Sequence, residues 1–389
     1  MDWGSKRIAG GFMGSCGLRR SLQSVAIGVV LFAAYSVLRE RTTLGKSTSV
    51  CTFSGVYNFG DSNSDTGSAS AALGRVPPPY GRTFFGKPSG RYSDGRLIID
   101  FIAEKLGFSY LRAYLDSFGV DFRYGANFAS SGSTIQHLDA NLCGAGFNPF
   151  SLDVQLLQFE QFKARSIESY SQGSESFSKA LFTMDSGQND LHAGLISMNE
   201  EQVKADVPRI LDQFSVALEK LYKLGARAFW IHNTGPIGCL PYFIFRHTAK
   251  PNSTDPNSCI KSYNEVAQEF NKQLKDKMMS LRSQLQDAML IYVDIYSVKY
   301  SLVSDGKNHG FPDPFGYCCG RLGVVKCGEK AMFNGTEVYG DSCSNPLEYI
   351  SWDGVHYTEA ANKWISHRIL DGSFSEPKIS IAEACFQTL

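Results

Sequence analysis

Short apolar runs separated by long amphipathic stretches dominate the chain beyond residue 50. Ser54-Gly-Val-Tyr-Asn58, Ala180-Leu-Phe-Thr-Met184, Ala226-Arg-Ala-Phe-Trp-Ile231 and Met289-Leu-Ile-Tyr-Val293 have the length and composition of buried strands. Val207 to Leu224 repeats apolar residues at Ile210, Leu211, Phe214, Val216, Leu218 and Leu221, a helical spacing that Gly225 closes. Ile260 to Leu285 repeats the pattern through Tyr263, Val266, Ala267, Phe270, Leu274 and Met278. Thr358 to Ile369 reads as a last helix, capped by Thr358 and carrying Glu359 in its first turn. Strands alternating with helices predict an α/β fold: a parallel sheet covered on both faces, joined by crossovers of one hand. Such a sheet binds ligands outside the carboxyl ends of its strands.

At 389 residues the chain has room for one catalytic domain with extensions. Lys+Arg and Asp+Glu are both 38 and no basic block stands out, which argues against a nucleic-acid partner. The N-terminus is different in kind. Lys6, Arg7, Arg19 and Arg20 precede an uncharged run over residues 21–38, about 27 Å at helical rise, and Arg39-Glu-Arg41 follows it. This pattern predicts a cytosolic tail over 1–20, a type II signal-anchor helix over 21–38, a linker over 39–50, a catalytic domain over 51–375 and a C-terminal tail over 376–389. A cleaved signal peptide is the second reading of the same run and a transit peptide the third.

The cysteines fit an oxidising lumen. Cys318, Cys319, Cys327 and Cys343 crowd into one Gly-rich segment and read as disulfide staples. As a zinc site their spacing is not standard and no His accompanies them, so no metal and no cofactor is expected. Nine of the ten cysteines follow the apolar run, an odd number that leaves at least one thiol without a partner in the chain. Asn252-Ser-Thr and Asn334-Gly-Thr are glycosylation sequons at Asn252 and Asn334.

Four segments have the composition that serine-based acyl chemistry needs. Phe59-Gly-Asp-Ser-Asn-Ser-Asp-Thr-Gly67 follows the first strand, and a tight turn there would expose the Ser62 hydroxyl at the rim of the sheet. Asn127-Phe-Ala-Ser-Ser-Gly132 would offer the Gly132 N–H, and Ser186-Gly-Gln-Asn-Asp190 the Asn189 amide, to a developing oxyanion. In Trp352-Asp-Gly-Val-His356 a short turn would let Asp353 accept from His356 Nδ1–H and leave Nε2 to take a proton from a serine. Each segment also has a plain reading as turn or cap chemistry, and the segment from Gly74 to Arg96, with Pro77-Pro-Pro-Tyr80 and Phe84-Phe85, reads either as a substrate wall or as a loop packed on its own aromatics. The remaining histidines, His137, His192, His232, His247, His309 and His367, have no acidic neighbour at a suggestive spacing and read as packing or surface residues. No nucleophile elbow of the Gly-x-Ser-x-Gly type, P-loop or His-Glu-x-x-His zinc motif occurs in a fitting context.

The order and separation of these four segments resemble the plant GDSL esterase/lipase family within the SGNH hydrolases. The resemblance runs over residues 53–372 and includes Gly90-Arg-Tyr-Ser-Asp-Gly-Arg96, Asn233-Thr-Gly-Pro-Ile-Gly-Cys-Leu-Pro241 and Tyr317-Cys-Cys-Gly320. It implies a flavodoxin-like three-layer α/β/α fold with about five parallel strands. It also implies Ser62 as nucleophile, His356 as general base and then acid, Asp353 as its orienter, and an oxyanion hole of the Ser62 N–H, the Gly132 N–H and the Asn189 side chain. The one departure in the first motif is Asn63 where the family name has Leu. Within the family, Gly310-Phe-Pro-Asp-Pro-Phe-Gly-Tyr-Cys-Cys-Gly320 looks most like the subgroup holding nodulin-like esterases, proteins labelled α-fucosidase and Golgi polysaccharide deacetylases. With an anchor and a lumenal domain, that resemblance suggests a polysaccharide ester as substrate, an O-acetylated xylan or arabinoxylan. A secreted esterase of acyl lipids or secondary metabolites, an acyltransferase with the same triad, and a non-catalytic carbohydrate-binding protein are the alternatives. The sequence assigns no oligomeric state.

Overall fold

The computed structural model describes residues 51–137, 146–170, 175–246 and 253–385. The tail, anchor and linker expected over 1–50 lie outside the described residues, as do Asn252 and Cys143. Among the described residues no helix is long and apolar enough to cross a membrane.

Strands β1 (Val56–Gly60), β2 (Gly125–Asn127), β3 (Leu181–Asp185), β4 (Ala228–His232) and β5 (Met289–Val293) pair in parallel in the order β2-β1-β3-β4-β5. A short antiparallel strand, Ser375–Glu376, closes the β5 edge. The helices that cover the sheet are α1 (Ile98–Lys105), α2 (Leu152–Tyr170), α3 (Gln188–Ser197), α4 (Glu200–Lys223), α5 (Lys261–Gln284), α6 (Ile295–Asp305) and α7 (Glu359–Ile369). This is the three-layer α/β/α arrangement expected from the sequence.

The strand alternation assigns each face its own core. Tyr57, Phe59, Phe182, Phe229, Ile231 and Leu290 point to one side, where they pack with Phe159 of α2, Leu211 of α4 and Phe270 of α5. Val56, Leu181, Trp230, Ile291 and Val293 point to the other, where they meet Ile102 of α1, Leu302 of α6 and Ile365 of α7. The first face is built largely of aromatic rings; Tyr57 and Phe59 each contact Phe159 edge-on, with ring centres 5.3 and 5.8 Å apart.

Three elements differ from the sequence expectation, each for an identifiable reason. Helix α4 begins at Glu200, ahead of Val207, because its first turns are polar. A capping box announces it instead: Asn199 accepts from Gln202 N–H at 3.0 Å and Gln202 Oε1 from Asn199 N–H at 3.1 Å. Strand β2 is only Gly-Ala-Asn and has no apolar run to reveal it; the pairing Val56 with Gly125 defines it. The tail expected from residue 376 is instead built into the body through Cys385. Ile381 and Ala384 are fully buried, and Cys385 is disulfide-bonded to Cys51.

That disulfide joins residues 334 apart and so closes nearly the whole domain into one loop. A cross-link of this span restricts the unfolded chain most strongly. Replacing both partners, Cys51→Ala with Cys385→Ala, is expected to lower unfolding free energy by about 3 to 5 kcal/mol, read from denaturant midpoints of the oxidised proteins.

The crowded cysteines form two further bridges, Cys318–Cys343 and Cys319–Cys327, and Cys239–Cys259 forms another. Their sulfurs are therefore not metal ligands. Asn334 is exposed at the tip of the hairpin Lys330–Phe333/Thr336–Tyr339, with φ of 49° and Gly335 at 78°. Two positive φ values are what a two-residue Asn-Gly hairpin turn requires, a second meaning of the Asn334-Gly-Thr triplet.

Candidate active site

The chain leaves β1 to one side for β2 and returns to the other side for β3, so the ends of β1 and β3 flank the point where the topology reverses. Ser62 follows β1, Gly132 follows β2 and Asn189 follows β3. The sheet thus brings three segments separated by long stretches of sequence to one crevice.

The turn after β1 is fixed from several directions. Gly60 has φ of 146°, and a Cβ there would collide with the Asp185 carbonyl oxygen, so only glycine fits. Gln155 of α2 clamps the same residue, accepting from Gly60 N–H at 3.0 Å and donating to Gly60 O at 2.9 Å. Asp61 N–H donates to Asp185 O at 3.2 Å, while Asp61 O accepts from Ser64 and Asp65 at 3.1 and 2.9 Å. Asp65 then caps the short helix Ser68–Ala72, accepting backbone N–H groups of Gly67, Ser68 and Ala69. Ser62 stands in the middle of this turn, 9% exposed, and its hydroxyl has no partner among the described residues.

The Gly132 segment is bonded onto that turn. Ser130 N–H and Ser133 Oγ donate to Gly60 O at 3.1 and 2.7 Å, and Ser131 N–H donates to Asp65 Oδ2 at 2.8 Å. Asn127 donates to Ser64 O at 2.6 Å and to Thr66 Oγ1 at 2.9 Å, holding the Ser62 turn from below. Gly132 has φ of 81°, and a Cβ would strike the Gly146 carbonyl. Asn189 Nδ2 donates to Ser133 O at 2.8 Å, which leaves its second amide hydrogen for another acceptor. The next residue, Asp190, accepts from Ile135 and Gln136 N–H at 2.9 and 3.0 Å, tying α3 to the Gly132 segment. Burial pushes Asp190 up to about 7, against the pull of those two bonds. The backbone N–H groups of Ser62 and Gly132 have no protein acceptor among the described residues, an unusual state for donors in a structured turn.

Asp353 and His356 arrive on the loop before α7. His356 Nδ1 meets Asp353 Oδ2 at 2.6 Å, and Asp353 Oδ1 accepts from Val355 and His356 N–H at 3.0 and 2.8 Å. Tyr80 Oη adds a donor to Oδ2 at 2.8 Å. The double cysteine holds the base of the loop, since Cys318 and Cys319 N–H both donate to Trp352 O, at 2.9 and 2.6 Å. Asp353 does not cap α7; Thr358 does so itself, accepting from Ala361 N–H at 3.2 Å. Tyr92 packs on this loop, its ring lying against His356 with centres 5.2 Å apart.

The charges set the protonation states. Burial favours the neutral acid at Asp353, but the His356 charge and hydrogen bonds outweigh it and hold the carboxyl below the usual range. Burial opposes charging of His356, but Asp353, with a smaller contribution from Asp61, raises its pKa above that of a free imidazole. Beneath the Ser62 turn lies a buried set that the sequence did not disclose. Asp61 is pushed up to about 7, by burial first and then by Asp185, and its Oδ2 has no hydrogen-bond partner. Asp185 stays low despite burial through His232, whose Nδ1 lies 3.2 Å away, and through Lys299. The partner of His232 is 47 residues away in sequence, so spacing could not reveal it.

Asn189→Ala removes the amide and leaves the carbonyl of the buried Ser133 without that donor. A loss of about 10²- to 10³-fold in kcat on a short-chain aryl ester is expected, with KM little changed.

The chain matches the family described as GDSL-like lipase/acylhydrolase over residues 56–369. A GDSL esterase/lipase of Arabidopsis thaliana is 52% identical over 353 residues, 88% of this chain and 93% of that protein. A protein named alpha-L-fucosidase 3, also from Arabidopsis thaliana, is 49% identical over 339 residues, 83% of this chain and 91% of its own length. An esterase of Hevea brasiliensis is 46% identical over 366 residues, 89% of this chain and 92% of that protein.

Proposed function

Because the chain belongs to the GDSL-like lipase/acylhydrolase family, which supports carboxylic ester hydrolysis, we propose that it removes O-acetyl groups from a cell-wall polysaccharide of the (arabino)xylan type through a Ser62–His356–Asp353 acyl-enzyme. The observation that carries the chemistry is the Asp353–His356 contact, together with the action of Asp61, the residue next to Ser62, on the His356 charge.

In this reading Ser62 Oγ attacks the ester carbonyl as its proton passes to His356 Nε2. The Ser62 and Gly132 N–H groups and the Asn189 amide receive the negative charge on the carbonyl oxygen. His356 returns the proton to the departing sugar oxygen, and the acetyl group stays on Ser62. Water then attacks the acyl-enzyme with His356 again as base, and acetate leaves. Asp353 stays ionised throughout and holds the imidazolium that forms at each step.

The substrate class and the location rest on other grounds. The uncharged run over 21–38 between basic flanks supports a signal anchor, and the four disulfides and the two sequons suit a lumenal, glycosylated domain. Together they support a type II Golgi membrane protein acting on wall polymers during their synthesis. A secreted esterase of acyl lipids is the second reading, favoured by the family description itself, and it requires the N-terminal run to be cleaved. A glycosidase reading, carried by one relative's name, requires two carboxylates free to face the glycosidic bond. Asp353 does not offer one, since its oxygens already receive four donors.

The lumenal domain incubated with acetylated xylan and with a triglyceride distinguishes the readings. Acetate released from xylan and little acid from the triglyceride is the expected result. Fatty acid released from the triglyceride alone overturns the polysaccharide assignment and leaves the acyl-enzyme chemistry in place.

A further inference from the structure

The loop Pro77-Pro-Pro-Tyr-Gly81 is braced on every side. Tyr80 N–H donates to Pro77 O at 3.2 Å and Gly81 N–H to Ser93 O at 2.9 Å. Gly81 has φ of 76°, and a Cβ there would collide with the Lys87 carbonyl, so the turn admits only glycine. Tyr339 Oη donates to Pro78 O at 2.8 Å, and Gly328 packs directly on Pro77 and Pro78. The Tyr80 ring is wedged edge-on between Tyr92 and Trp352, with ring centres 5.8 and 5.9 Å away. Its hydroxyl has one destination, Asp353 Oδ2, the oxygen that also receives His356 Nδ1.

We propose that Tyr80 is a positioning residue of the ester-cleaving machinery, a fourth member that holds Asp353 from a separate loop and tempers the charge it presents to His356. The inference rests on the reading of Ser62, His356 and Asp353 as that machinery. Its basis is the complete occupancy of one carboxylate. An ionised carboxylate has about four acceptor positions, and Asp353 uses them on Val355 N–H, His356 N–H, His356 Nδ1–H and Tyr80 Oη–H. Three of these donors belong to the same short segment as Asp353 and would travel with it if the loop shifted. Tyr80 comes from 273 residues away and is the one of the four that ties the carboxylate itself to another part of the fold. Burial first, and then the charge of Asp353, push the Tyr80 phenol well above its usual range, so it keeps its proton and acts as donor. A hydrogen bond to Oδ2 spreads that oxygen's negative charge and lessens the basicity transmitted to the imidazole.

The other groups around this arrangement remain when the hydroxyl is removed. Asp61 acts on His356, the Tyr92 ring lies against it, Glu329 acts on Tyr80 and Asp65 on Tyr92. Tyr80→Phe keeps the wedged ring and deletes only the Oη–H, leaving Asp353 more basic and less firmly held. The expected result is a fall in kcat of about 10-fold, with the acidic limb of the pH–rate profile moved up by about 0.5 to 1 pH unit.

The pH dependence of Ser62 phosphonylation by an aryl fluorophosphonate, measured on wild type and Tyr80→Phe with the labelled peptide identified by mass spectrometry, tests this without turnover. Labelling of Ser62 in both proteins, with the inflection at higher pH in Tyr80→Phe, supports the inference. Labelling with the same inflection in both overturns it and leaves the triad intact. A wild type that is not labelled at Ser62 overturns the reading beneath it. Should Tyr80→Phe lose its thermal transition, Tyr80→Trp, which restores an N–H donor on a ring, is read the same way, and an inflection nearer to wild type than that of Tyr80→Leu is then required.

Discussion

Ser62→Ala is expected to lower ester turnover by about four to six orders of magnitude while leaving the fold intact. The size follows from the role of the group: without Oγ there is no covalent intermediate, and what remains is the binding site with its oxyanion donors, which retains about 10³- to 10⁴-fold over water. The intact fold follows from the environment. The Ser62 hydroxyl has no hydrogen-bond partner among the described residues, so its removal strands no buried donor or acceptor. The turn is held by Gly60, Asp61 and Asp65, which the substitution does not touch. Stability should therefore change by no more than about 0.5 kcal/mol. A variant with unchanged denaturant midpoint and no detectable hydrolysis of a short-chain aryl ester is the expected outcome. Wild-type turnover by Ser62→Ala would remove the serine from the mechanism.

The contrast between Gly60 and its neighbours explains how much of this site the sequence made legible. Strands β1, β3, β4 and β5 are mostly apolar because both of their faces are covered, and such runs are visible in one dimension. The Asp353–His356 contact is equally local: three residues and one turn bring Oδ2 to Nδ1. The groups that hold the site in place are not local. Gln155 reaches Gly60 from 95 residues away, Asp190 reaches Ile135 from 55, and Tyr80 reaches Asp353 from 273. Each is a polar side chain in a segment whose own pattern is that of a helix or a loop. The loop containing Tyr80 reads from its composition as a substrate wall or a self-packed aromatic segment, and the bond from its phenol to Asp353 is a further contact that composition does not show. The only sequence signal for Asp190 was its place directly after Asn189. The side chains of Asp61, Asp185, His232 and Lys299 become a set only when β1, β3, β4 and α6 are brought together by the sheet and its crossover.

Asp353→Asn is expected to lower kcat by about 10⁴-fold, and its pH behaviour says why. In the wild type, Asp353 Oδ1 accepts two backbone N–H groups, so an amide at this position would place its oxygen there and turn its NH₂ toward His356. The imidazole then has to accept at Nδ1 and carry its proton on Nε2, where it cannot receive one from Ser62. The loss is one of tautomer as well as charge. In the wild type the working base is neutral His356, whose pKa is raised because Asp353 outweighs burial, so the rate rises with pH through a value above the ordinary one for histidine. The asparagine variant removes that support, and the acidic limb of its much lower profile should move to lower pH. Stability should respond with matching signs. A raised His356 pKa contributes stability that is fully present below the unfolded-state value and disappears as pH rises through the folded-state value. A depressed Asp353 pKa contributes stability present above the unfolded-state value and lost as pH falls through the folded-state value. Asp353→Asn removes both contributions and leaves burial as the main influence on His356, so its denaturant midpoint should fall further below that of the wild type as pH drops through the range where histidine charges. A variant that keeps the wild-type acidic limb, or loses less than about 10-fold in kcat, would show that His356 takes its orientation from another group.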